Sequence, residues 1–261
     1  MNSMSKFNNT LKDSFKIFVE NPKFVIPKLV IAFLYSVIIL ATMNLSISAV
    51  QEPTMELLIY SIILLGVTIV ISLADIFVGL MYPFLVKQVK KNQAIHLRNA
   101  ARSALKKSFK SIPSVLAVEA GFVLIILLLA LPLGFLIDSL DLYMVISSIL
   151  YIAVLLAVVF LFYSLYPILV FEKESIIGSL KRSISVSLKN RKEVLKVTLL
   201  SFVLSLLSYV IAFSIEFFPG GNSSIWFWTA FIIVRVLTAY VYSYLFVLNP
   251  IFYLNYSGSK K

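Results

Sequence analysis

A short basic segment recurs three times along the chain, as LKDSFK from Leu11, LKKSFK from Leu105 and LKRSIS from Leu180, and each copy precedes two long apolar runs. A second landmark closes each pair of runs: YPFLV around Pro83, YPILV around Pro167 and NPIFY around Pro250, with the prolines 84 and 83 residues apart. Self-similarity at a fixed period reads as one structural unit used repeatedly. The units run over about 6–88, 93–172 and 174–256, within a single domain covering 1–261.

The apolar runs fix the solvent. They fall near 27–50, 57–86, 113–137, 142–171, 195–218 and 225–252, and about 20 helical residues suffice to cross some 30 Å of hydrocarbon. Charged residues make up 13% of the chain, against about a quarter in soluble domains. Every backbone group inside lipid must be paired within its own segment, and the runs are too long and too uniformly apolar for barrel strands. The expected fold is therefore all-α: a polytopic membrane bundle of six transmembrane helices in three repeats, each an amphipathic surface helix followed by a two-helix hairpin. Asp13 and Glu20 interrupt the first 25 residues, and no compact apolar core with a small-residue cleavage site follows. The first span is accordingly expected to be kept rather than cleaved as a signal peptide.

Basic residues are distributed on one side only. Of 23 Lys and Arg, 22 lie before or at the very start of the first run, between runs two and three, between runs four and five or at the very start of the fifth, or at the C-terminus. The opposite loops carry Glu52, Glu56, Asp138 and Asp141. The positive-inside rule then predicts a multi-pass protein of the cell membrane with both termini cytoplasmic. Apolar residues at helical spacing, such as Leu11, Phe15, Phe18 and Val19, share the surface segments with Lys and Arg. Such helices are expected to lie in the interface. Lys12, Lys16, Lys106, Lys107, Lys110, Lys181, Arg182 and Lys189 are the expected contacts to anionic lipid headgroups, each worth about 1 kcal/mol near an anionic leaflet. Partners are thus the bilayer, its anionic headgroups and a further membrane protein. No basic module interleaved with stacking aromatics points to nucleic acid.

Catalytic readings find little support. With no Cys and one His, His96, tetrahedral zinc, iron–sulfur and disulfide chemistry have no ligands, and no cofactor is expected. The repeated serines Ser14, Ser108 and Ser183 would each need a base within hydrogen-bond reach, and one histidine cannot serve three sites. They are read as small residues at helix contacts. The chain is expected not to be an enzyme.

Ionisable residues inside spans are the default functional candidates, because a charge at the bilayer centre costs at least about 2.5–3.5 kcal/mol. These are Asp75, Glu119, Glu216 and Arg235. At about 1.5 Å per residue, Asp75 lies roughly 12 Å from the Pro83 level and Arg235 roughly 22 Å from Pro250. Arg235 is expected to pair with Asp75 or Glu216. Two functions fit: a non-enzymatic scaffold or accessory subunit working through its basic face, or a transporter or channel for a small solute or lipid using Asp75, Glu119 and Arg235.

The runs ENPKFVIPKLVIAFL from Glu20 and FEKESIIGSLKRSISVSLKNRKEVLKV from Phe171 resemble a group of archaeal and bacterial six-span proteins of unknown function, similar to the membrane domain attached to some glycerophosphodiester phosphodiesterases. The resemblance implies a fold and a location. The soluble catalytic barrel of those enzymes has no counterpart here, so their activity is not implied. Mitochondrial carriers also use three two-helix repeats, but they place the surface helix within the hairpin and follow the proline with charged residues. Here Pro83, Pro167 and Pro250 are followed by Phe84, Ile168 and Ile251.

Overall fold

The computed structural model describes residues 3–49, 55–137, 139–213 and 225–257. Among them the chain is helical throughout, with no strand. Helix α1 spans Ser3–Glu20, and a single 3-10 turn at Pro22–Phe24 leads into α2, Val25–Ala49. Then follow α3 (Met55–Lys90), α4 (Leu97–Leu136), α5 (Leu140–Phe162), α6 (Leu165–Phe171), α7 (Ile176–Lys189), α8 (Arg191–Phe213) and α9 (Ile225–Ser257). Six helical segments are long and apolar enough to cross a membrane, as expected of an integral membrane protein. Glu216, Glu52 and Asp138 lie outside the described residues.

The spans close on themselves. α2 packs on α3, α3 on α4, α4 on α5, α5 on α8, α8 on α9, and α9 returns to α2. The ends of the chain are joined as well, because α1 lies against α9. Tight packing is concentrated at the end where the basic segments gather. Phe24, Leu80, Tyr82, Leu85, Ala100, Ala104, Val247, Ile251 and Phe252 have 1% or less of their surface exposed. Toward the other end the helices present apolar side chains outward: α5 buries none of its residues, and Phe135 and Leu136 are exposed. An apolar exterior of this extent suits hydrocarbon, where apolar surface carries no solvation penalty.

The expected separation of surface helix from span is seen twice and fails once. α1 ends at Glu20 because Asn21 precedes Pro22, and the proline ring disfavours helical geometry in the residue before it. α7 ends at Asn190 before α8 begins. Both asparagines turn their side-chain amide back to the carbonyl four residues earlier, Asn21 to Ile17 at 2.8 Å and Asn190 to Val186 at 2.9 Å. These donors satisfy carbonyls that a helix end leaves unpaired. Each asparagine stands ten residues after the leucine that opens its LK segment, Leu11 or Leu180; at the same register after Leu105 stands Val115. With no capping residue there, the basic segment and span three run on as one 40-residue helix, α4. Pro113 and Pro132 lie within it.

The fourth span divides where a single helix was expected. α5 stops at Phe162 and α6 begins at Leu165. Pro167 is the cause: it lacks an N–H for the carbonyl of Tyr163, four residues back, and its ring crowds that carbonyl. The side-chain amide of Asn249 donates to the Tyr163 carbonyl instead. Leu161 also presents a carbonyl at this break, and it accepts from both Ser183 (3.2 Å) and Ser187 (3.1 Å) of α7. α7 is thereby fastened to the kink. The remaining repeated serines behave alike. Ser14 and Ser108 are buried and donate to the carbonyls of Leu11 and Leu105, each at 2.8 Å. The face that each LK segment turns to the protein is made of small residues, Thr10 and Ser14, Ala100, Ala104 and Ser108, or Ser179, Ser183 and Ser187. Of the apolar residues of α1, Phe15 and Val19 are exposed and Phe18 is buried.

Candidate functional site

A cavity of about 390 Å³ lies between α2, α3 and α9. Its walls bring together residues from the first and last units. α2 contributes Lys28, Ile31, Ala32, Tyr35 and Ile39, α3 contributes Asp75, and α9 contributes Arg235, Thr238, Ala239 and Tyr242. The spacing on α2 (28, 31, 32, 35, 39) is the i, i+3, i+4 pattern of one helix face. From Lys28 to Ile39 this face extends about 16 Å along the axis.

The charges pair differently from the sequence expectation. Asp75 is engaged by Lys28 at 2.6 Å, not by Arg235. Lys28 had been assigned to the basic side, just before the first span, but its side chain is only 6% accessible. Its ammonium also stands 3.8 Å from the centre of the Phe246 ring, an arrangement in which the ring face attracts the cation. The signal for Lys28 was present: it sits one residue inside the run that begins at Pro27. Because basic residues on that side are so numerous, it was grouped with them.

Arg235 lines the same cavity without an anionic partner among the described residues. Its guanidinium carbon lies 4.8 Å from the centre of the Phe231 ring, one turn earlier on α9. Its Nε is buried with no hydrogen-bond partner among the described residues, and the ion pairs found there do not include Arg235. Thr238 Oγ1, three residues on, is likewise buried and unpartnered among the described residues.

Glu119 belongs elsewhere. It lines a second cavity, of about 360 Å³, with Tyr163, Tyr166, Ser201, Ser205, Tyr242 and Asn249. Tyr242 lines both cavities. Asp75 and Glu119, similar in depth along their helices, therefore do not share one chamber. Glu216, the other expected partner of Arg235, lies outside the described residues.

Tyr82 is wholly buried. Its hydroxyl donates to the Phe24 carbonyl at 2.8 Å and lies 3.1 Å from Ser243 Oγ, tying α3 to the start of α2 and to α9. This contact anchors Phe24 four residues before Lys28, which fixes the entry of α2 beside the first cavity.

A third concavity, of about 240 Å³, opens at the basic end between α4, α6 and α7. Lys107, Lys110, Ser111, Lys173, Glu172 and Ser179 contribute to its walls. Lys87 is also close enough to act on Lys107 electrostatically. Of the basic residues expected to touch lipid, Lys12, Lys16, Lys106, Lys110, Lys181, Arg182 and Lys189 are exposed and Lys107 is half-buried. Two have acidic neighbours: Lys16 lies 3.8 Å from Glu20 and Arg182 lies 3.4 Å from Glu172. The Glu172 carboxylate also accepts from the Tyr253 hydroxyl.

No group of three or more potential metal ligands occurs among the described residues. No family model, curated protein or solved structure matches this chain.

Proposed function

We propose that this is a non-enzymatic multi-pass protein of the cell membrane, with both termini cytoplasmic, that engages anionic lipid headgroups through its basic end. One observation carries this reading: Lys107, Lys110 and Lys173 meet around a concavity formed where α4, α6 and α7 come together. Basic pockets between spans on the cytoplasmic side suit phosphate-bearing headgroups. The serine hydroxyls of Ser111 and Ser179 in the same walls offer additional donors, and Lys supplies the point charge that a phosphate accepts. Glu172 and Glu174 stand in the same walls and leave them one net positive charge; Glu172 is itself engaged by Arg182 and Tyr253.

The test is lipid retention. Protein purified in a mild detergent is expected to keep phosphatidylglycerol in preference to phosphatidylcholine, as read by native mass spectrometry. The triple variant Lys107→Gln, Lys110→Gln, Lys173→Gln should lose that preference. Equal retention of the two lipids by the unaltered protein would overturn the reading. Loss of a co-purifying protein, with lipid preference unchanged, would favour the accessory-subunit form of the same proposal.

The transporter alternative is supported by a separate observation, the two cavities that share Tyr242 and hold Asp75, Arg235 and Glu119 in their walls. Reconstituted protein that leaks or exchanges neither small solutes nor lipid across a vesicle wall would remove it.

A further inference from the structure

Two cations face the cavity between α2, α3 and α9, and they differ in one respect. Lys28 rests on the Phe246 ring and is paired with Asp75. Arg235 rests on the Phe231 ring and is paired with nothing among the described residues. Lys28 and Asp75 cancel, so among the described residues the wall carries one uncompensated positive charge. A cation away from water without a counter-charge loses several kcal/mol of solvation, and an intramembrane ionisable residue normally meets a partner or a water-filled path. The side chain is not loose, since a ring supports the guanidinium face. A guanidinium holds its N–H donors in its own plane, where they match the two oxygens of a carboxylate or phosphate.

The second orphan donor sits beside it. Arg235 and Thr238 are three residues apart on one helix, so their side chains share a face; both line the cavity, and both bear a buried donor without an acceptor. Buried polar groups are almost always satisfied, and those that are not call for a missing partner. Two on the same wall call for the same acceptor. The rest of the lining, Ile31, Ala32, Ile39 and Ala239, is apolar. The volume of about 390 Å³ falls within the roughly 300–1,000 Å³ of small-molecule sites, which pair an apolar lining with a few placed polar groups.

We propose that this cavity binds an organic monoanion: one carboxylate or phosphate oxyanion on an apolar body, its oxygens held by Arg235 and Thr238 and its body against Ile31, Ala32 and Ile39. The ligand gives Arg235 what Asp75 gives Lys28. One negative charge neutralises the wall; a dianion would overcompensate it. This site is separate from the lysines at the basic end, and either can stand without the other.

The experiment uses the whole protein in nanodiscs of phosphatidylcholine, titrated with decanoate, benzoate or inorganic phosphate and read by thermal shift and calorimetry. Decanoate is expected to bind saturably and raise the melting temperature. Arg235→Gln should weaken binding at least tenfold, and Arg235→Lys, which keeps the charge but loses the planar fork, by less. Because Arg235→Gln could also disturb folding, Ala32→Phe provides a second probe: it fills the cavity with every charge intact and should abolish binding. Lys107→Gln with Lys110→Gln should leave decanoate binding unchanged, which separates this result from the headgroup reading. Binding of decanoate but not benzoate assigns a membrane-borne ligand, and binding of both assigns a water-soluble acid; each supports the site. Inorganic phosphate binding as tightly as decanoate, no binding at all, or equal binding by Arg235→Gln and Ala32→Phe would overturn it.

Discussion

Lys28 and Asp75, 47 residues apart in the chain, meet at 2.6 Å and join the first two spans near their basic ends. The lysine is the more enclosed partner, and the carboxylate keeps 32% of its side-chain surface. Removing either charge alone leaves the other without its counter-ion. Asp75→Asn is expected to destabilise the protein by about 3 kcal/mol, near the low end for broken buried pairs because Asp75 is partly accessible. Replacing both together, Lys28→Met with Asp75→Leu, should cost less than either single change. Denaturation in mixed micelles checks this; a double variant less stable than both singles would refute the pairing.

The Asn249 amide takes the place of the hydrogen bond that Pro167 cannot make to the Tyr163 carbonyl. Asn249→Leu should cost about 1–3 kcal/mol, the usual penalty for an orphaned buried acceptor. In a Pro167→Ala background the residue at 167 regains its N–H and can close the helical bond, so Asn249→Leu should then cost much less. A double-mutant cycle measures that coupling; strict additivity would show that the two residues act independently.

Ser183 and Ser187 donate to one carbonyl, that of Leu161. Either serine alone can satisfy it. Single changes to Ala are expected to cost about 0.5 kcal/mol or less, while the pair should cost about 1–3 kcal/mol because the acceptor is then left bare. Thermal unfolding of the three variants reads the non-additivity.

Gly79 has no room for a side chain. A Cβ there would stand 2.7 Å from Tyr166 and 2.8 Å from Phe246, and Phe246 is the ring beneath Lys28. Gly79→Ala should destabilise by about 1–3 kcal/mol through overpacking. Gly66 and Gly121 have nothing within 4 Å of that position, so Ala at either should be neutral or stabilising by up to about 1 kcal/mol. Comparing melting temperatures of the three variants separates backbone preference from crowding.

Span number and helical class were readable because apolar length alone decides them. The serines of the LK segments were readable as contacts because no base exists to serve them, and all three are buried. Arg235 and Asp75 were identifiable as intramembrane charges; their shared cavity has Lys28 as its third charge. Periodicity places a residue on a helix but does not say which helix it faces. Asp75 and Glu119 were both legible as charges within spans, yet the two line different chambers. The missed break between α5 and α6 follows from Pro167, whose effect on the Tyr163 carbonyl depended on whether a remote donor, Asn249, was present. The continuity of α4 was available from the sequence, in Val115 standing where Asn21 and Asn190 stand in the other units.

That single valine sets the second LK segment apart from the other two. At Asn21 and Asn190 the helix is interrupted between the basic segment and the span that follows, so α1 and α2, like α7 and α8, are separate helices. α4 is one continuous helix of about 60 Å, with Pro113 and Pro132 inside it, running from Arg98 and Lys106 at the charged end to Leu136 at the other. A displacement of its lysines therefore meets no chain break at position 115 before it reaches Glu119.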